Sequence, residues 1–244
     1  MVVKKIIPLS ETALLISFGD SISLELHEQV MQAQQLIEHH PFKGFVETVP
    51  AYNSLVVYYD PLLIEQKKET IAGKVEQSIL SIMQTDKKNK PETNTDLFTI
   101  PVCYDEVFGI DLNELSDTLQ LSIEQIIQLH SNKTYKVFMT GFTPGFPYMG
   151  TVDDRIITKR KSTPRTKVDA GSVAIAGIQT GIYPLNTPGG WNIIGKTPLK
   201  LFDLSKPNPF LLKAGDEVKF ESITKDEFDQ SLSAVANPDG GLKK

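Results

Sequence analysis

Apolar residues follow two different rhythms along the chain. Up to residue 84 there are two short strand-like runs, Lys5 to Pro8 and Ala13 to Phe18. A helical series follows, with Ile22, Leu26, Val30, Ala33 and Ile37 at spacings of three and four. Phe45 to Val49 and Leu55 to Tyr59 flank the sequence PAYNS, which predicts a hairpin turning near Asn53. Pro61 is expected to open a second helix carrying Ile71, Val75, Ile79 and Ile82 or Met83 on one face. The order ββαββα predicts a small α+β sandwich over residues 1–84, one sheet with helices on one side.

The segment Thr85 to Asp96, TDKKNKPETNTD, has no apolar residue and reads as a linker. After it, LFTIPVCYD predicts a strand, and two brief helices follow. Asp111 with Glu114, and Ser122 with Gln125, have capping-box spacing. From Thr134 onward TYKVFMTG, SVAIAGI, WNIIG, LKLF and DEVKF are β-rich runs broken by glycine and proline. Nine of the 16 glycines lie between Gly141 and Gly195, which favours a closed or strongly bent β-structure over helices. The fold class expected is therefore α+β, with a second, barrel-like domain over 97–236 and a frayed tail at 237–244.

Composition narrows the function classes. Hydrophobic residues make up 40% and charged residues 23%, which excludes a disordered or fibrous chain. Lys plus Arg is 25 and Asp plus Glu is 30, and the formal charge of −5 argues against a dedicated nucleic-acid binder. Cys103 is the single cysteine, so neither an internal disulfide nor a cysteine-built zinc site is expected; no metal site is visible. No run of apolar residues is long enough to span a membrane and the opening lacks a continuous signal-peptide core, so a cytoplasmic location is expected.

Four constellations carry candidate chemistry. From Gly190, GWNIIGKT matches the phosphate-loop pattern letter for letter, but bulky Trp191, Ile193 and Ile194 suit a strand and Pro198 precludes the long helix that the mechanism needs. In GFTPGFPYMG, proline and glycine stiffen a loop bearing Phe142, Pro144, Phe146, Tyr148 and Met149, a candidate partner interface whose bland counterpart is a core-covering loop. Arg165, Gln179, Thr180, Tyr183 and Trp191 form a candidate substrate-binding set, since arginine forks onto a carboxylate or phosphate and glutamine reads an amide. His130 ends a helix, where a protonated ring would favour the dipole; it and Arg165 are the only catalytic candidates. His27, His39 and His40 are expected to be exposed, and Lys159, Arg160 and Lys161 to form a solvated loop.

GFVETVPAYNSLVVYYDP, GFTPGFPYMG, AGSVAIAGIQTGIYP and TPGGWNIIGKTP, in that order, resemble the bacterial family of 5-oxoprolinase B-subunits, also called allophanate hydrolase subunit 1 or KipI. The resemblance runs from Ser10 to about Phe220. It implies an N-terminal α+β domain and a C-terminal cyclophilin-like β-barrel. It further implies partnership with subunits C and A in ATP-dependent opening of 5-oxo-L-proline to L-glutamate, with ATP used by the assembled complex. Asp169, Lys196 and Thr187 depart from the proline, arginine and serine expected of the family, so the lysine that completes the phosphate-loop pattern reads as incidental. The alternative implied by the resemblance is an inhibitor that binds a sporulation histidine kinase and blocks its autophosphorylation. A prolyl isomerase is a distant third.

Overall fold

The computed structural model describes residues 2–65, 69–85 and 96–236; most of the expected linker and the tail lie outside them. The chain divides into two compact units, residues 1–94 and 95–244.

In the first unit, β1 (Lys5–Ser10), β2 (Ala13–Ser17), β3 (Phe45–Pro50) and β4 (Ser54–Tyr59) form one antiparallel sheet in the order β1-β2-β4-β3. Helices α1 (Leu24–His39) and α2 (Ile71–Thr85) supply the other layer. The Ser23 hydroxyl accepts from the Leu26 N–H and fixes the start of α1, whose Val30, Ala33, Leu36 and Ile37 are buried. Strand periodicity sends Leu14, Ile16, Leu55, Val57 and Tyr59 into the same core. Two expectations are corrected. Pro61 opens only a single 3₁₀ turn, Pro61–Leu63, and α2 begins at Ile71. His27 is fully buried on the apolar stripe of α1 rather than exposed.

The second unit opens with β5 (Leu97–Cys103), α3 (Leu112–Leu119), α4 (Ile123–Ser131), β6 (Thr134–Thr140) and β7 (Pro147–Gly150). It continues with β8 (Arg165–Val168), β9 (Ser172–Ala176), β10 (Gln179–Ile182), β11 (Thr187–Gly189), β12 (Asn192–Lys196), β13 (Glu217–Ile223) and α5 (Lys225–Ala236). Seven strands close into a barrel in the order β10-β7-β6-β13-β5-β12-β9, which is the expected cyclophilin-like barrel. All its pairings are antiparallel except β5 with β13, which run parallel from Leu97↔Glu217 to Cys103↔Ile223. Ile100, Val102, Val137, Met149, Val173, Ile175, Ile182, Ile194 and Val218 fill the interior. Separately, β8 and β11 pair as a two-stranded ribbon. LKLF, expected as a strand, contributes only the bridge Phe202↔Phe210. Among the described residues no helix is long and apolar enough to cross a membrane.

Candidate functional site

The phosphate-loop string is a strand. Asn192 to Lys196 lie in β12, pairing with β9 and β5, and no helix follows before α5. The ladder ties this backbone to its neighbours, so it does not wrap a phosphate. Lys196 instead lies over the Phe108 ring at 5.8 Å.

His130 is corrected as a catalytic candidate. Its ring is fully buried and stacks on Phe220 with centroids 4.5 Å apart. The Thr180 hydroxyl donates to the Ala174 carbonyl (3.1 Å), so it accepts from His130 Nε2–H (2.8 Å). That tautomer leaves Nδ1 to accept from the Tyr104 hydroxyl at 2.7 Å. Every position is filled with the ring neutral, and burial drives the pKa down to about 3. The ring therefore carries no charge to set against the α4 dipole. Thr180 belongs to this chain of hydrogen bonds inside the barrel, and its substrate-binding role is corrected for the same reason.

The remaining candidates gather on the outside of the barrel wall. Alternation along β9 turns Val173 and Ile175 inward and Ala174 and Ala176 outward. Gln179 pairs with Ala176 on one side and Gly150 on the other, and one step beyond Asn192↔Ile175 lies Trp191 beside Ala176. Trp191, Ala176, Gln179 and Gly150 thus cross four adjacent strands or strand ends, with small residues between the tryptophan and the glutamine. Tyr148, half-buried, meets the Trp191 ring edge-on at 5.8 Å.

Phe146 and Tyr183 lie beneath. Both are buried, with ring centroids 5.2 Å apart, and Phe146 also packs edge-on against Trp191 at 5.4 Å. Gly181 makes room for Phe146, because a Cβ there would stand 2.8 Å from Cζ. Of the expected partner-facing residues, Phe146 and Met149 are therefore core, the first under the aromatic cluster and the second inside the barrel. Phe142 and Pro144 are exposed. Phe142 holds φ = +65°, a left-handed conformation that a bulky side chain adopts at a cost of about 1–3 kcal/mol. Tyr183 is corrected as a substrate contact, since its hydroxyl is hydrogen-bonded to the Trp191 backbone and burial raises its pKa.

A charge network pins the segment that borders this wall. Asp111, only 2% exposed, receives Arg165 Nη2 at 2.6 Å, Lys161 Nζ at 3.0 Å and the Ile193 N–H at 2.7 Å. Glu114 takes the other side of Lys161 at 2.5 Å. Asp111 thus makes no side-chain cap for α3, whereas Ser122 and Gln125 form the full capping box of α4. The basic triplet is not a free loop: Lys161 is half-buried in ion pairs, and Arg160 lies 5.7 Å above the Trp191 ring. Asp111 and Arg160 are the residues that sequence reasoning missed. A neighbouring charge run and a helix start explained them too easily. Among the described residues no three His, Cys, Asp or Glu side chains converge as a metal cage.

Comparison with known proteins places this architecture. Residues 4–212 match the model of the carboxyltransferase domain, subdomain C and D. The chain is 43% identical over 228 residues to the 5-oxoprolinase B-subunit of Bacillus subtilis (strain 168), covering 90% of this chain and 93% of that protein. To the protein of the same name from Haemophilus influenzae it is 38% identical over 215 residues, covering 88% and 96%. The crystal structure of TTHA0988 superposes with a TM-score of 0.74 at 34% identity over 86% of this chain, which spans 40% of that longer one. With both its barrel and its α+β unit inside the matched residues, the chain belongs to the carboxyltransferase-domain family, subdomain C and D.

Proposed function

We propose that this chain is one subunit of a heteromeric, ATP-dependent 5-oxoprolinase that opens 5-oxo-L-proline to L-glutamate, and that it is inactive alone. The observation that carries this reading is the near full-length likeness to proteins named as the B-subunit of 5-oxoprolinase. The outer wall supports it. Trp191 and Tyr148 give a small ring an aromatic edge, and Gln179 offers an amide able to pair with a lactam. The lactam resists hydrolysis, so ATP phosphorylates its oxygen and makes the ring carbonyl carbon open to attack by water.

Among the described residues this wall offers no nucleophile beside a base, and the phosphate-loop string does not fit a nucleotide. ATP handling therefore falls to the partner subunits C and A, and this chain orients the ring. TTHA0988 supports a composite site, because there the matching region is 40% of one longer chain. Phe142 and Pro144, exposed on a stiff loop, are the partner-facing residues.

The test is reconstitution. Purified chain with subunits C and A should release glutamate from 5-oxoproline only with ATP, and Phe142→Asp should lower assembly and turnover together. Turnover by the lone chain, or none by the mixture, overturns the proposal. Inhibition of a sporulation histidine kinase's autophosphorylation by the same preparation, with no lactam opening, would establish the alternative.

A further inference from the structure

We infer that Arg160, not Arg165, is the cation that binds the substrate carboxylate at this wall. The inference rests on the proposed 5-oxoprolinase reading and names one of its contacts. Arg165 is the obvious choice from sequence, and the structure commits it elsewhere. Its Nη2 is tied to buried Asp111, and its Nη1 is shielded from solvent without a hydrogen-bond partner. A ligand carboxylate arriving from outside meets neither nitrogen. Arg165 thus ties the β8–β11 ribbon to the start of α3 and is a positioning residue.

Arg160 has the opposite properties. It is exposed, and no carboxylate pairs with it among the described residues. Its guanidinium lies over Trp191, and its charge is felt by the Tyr148 and Tyr183 phenols, whose pKa values it draws down against the larger effect of burial. The backbone on both sides of it is fixed. The Lys159 carbonyl accepts from Asn192 Nδ2 at 2.8 Å, and the Lys161 N–H donates to the Gly190 carbonyl at 2.7 Å. Lys161 is held again by Asp111 and Glu114 through its side chain. An arginine with an anchored Cα and a ring beneath its guanidinium loses little freedom on binding, which is the condition for a strong, directional carboxylate contact.

The geometry suits a small flat lactam bearing a carboxylate. Trp191 and Gln179 stand two strand spacings apart, roughly 10 Å, across Ala176. The carboxylate meets Arg160 at the tryptophan end while the lactam amide faces Gln179. Ala176 and Gly150 keep the ground between them low.

The test uses the assembled complex with Arg160→Ala, Arg160→Lys and wild-type chains. Loss of a charge-assisted pair should raise KM for 5-oxoproline on the order of 10- to 100-fold with little change in kcat. Lysine, which keeps the charge and loses the fork, should recover part of it. The inhibition constant of 2-pyrrolidinone, the same ring without a carboxylate, should be unchanged in Arg160→Ala, a result that a merely structural role would not give. An active wild-type complex in which Arg160→Ala leaves KM unaltered, or weakens pyrrolidinone equally, overturns this inference alone. A wild-type complex inactive on 5-oxoproline overturns the parent reading and this inference with it.

Discussion

Burying His130 neutral makes the barrel acid-sensitive by an amount that the structure sets. Folded, the ring has a pKa of about 3 against an ordinary 6.5, because desolvation penalises the charged form. Between those values the unfolded chain binds a proton that the folded chain refuses, so stability rises with pH through this window and levels off above it. At pH 5 the difference spans about 1.5 pH units, or about 2 kcal/mol. Approaching pH 3 it grows to about 4–5 kcal/mol, a large part of a typical domain's stability. Trp191 is the single tryptophan and lies in the barrel unit, so its fluorescence in urea titrations reports that unit alone. Comparison with His130→Gln, which keeps a hydrogen-bonding side chain and cannot titrate, cancels the carboxylates common to both. Wild type should lose about 2 kcal/mol more than the variant between pH 7 and pH 5. Parallel pH profiles would refute the neutral, fully bonded histidine.

Asp111→Ala removes an acceptor from two cations and a backbone N–H, and should destabilise the barrel by about 3–5 kcal/mol in urea unfolding. Asp111→Asn, which retains an oxygen for Ile193, should fall between. Lys196→Ala should leave ATP-dependent turnover by the assembled complex within a few-fold of wild type, because Lys196 sits on a strand over Phe108. Near-abolition of turnover by a folded variant would reinstate the phosphate loop.

What was legible in the sequence was whatever reported itself locally. Spacings of three and four marked α1, and the alternation in Ala13 to Phe18 marked β2, because both periods reflect which side of one element meets the core. The Ser122 to Gln125 capping box was readable for the same reason. Strands β7, β8, β10 and β11 have three or four residues each, too few for alternation to stand out, and they exist because neighbours in the barrel or ribbon complete their ladders. The chemistry was less legible than the fold. Arg165 and Asp111 are 54 positions apart, and nothing in either segment announces the other. Likewise Phe146 and Phe142 belong to one aromatic-rich loop, yet Gly181 gives the first a buried seat while the second points to solvent. Burial of a loop residue depends on what stands opposite, and that is a tertiary fact.

The parallel pairing of β5 with β13 has a consequence for synthesis. The strand that begins the barrel finds its partner only when Glu217 to Ile223 have been made, and β13 also separates β5 from β6. A nascent chain that has reached β12 still carries two raw edges, β5 and β6, whose backbone groups have no mate. Loop closure over this span comes late and slowly, so the barrel is completed after its last strand leaves the ribosome rather than piece by piece as it emerges. Ribosome-stalled chains ending before Glu217 should therefore be open to protease throughout the second unit, whereas the first, complete within residues 1–94, should already resist it.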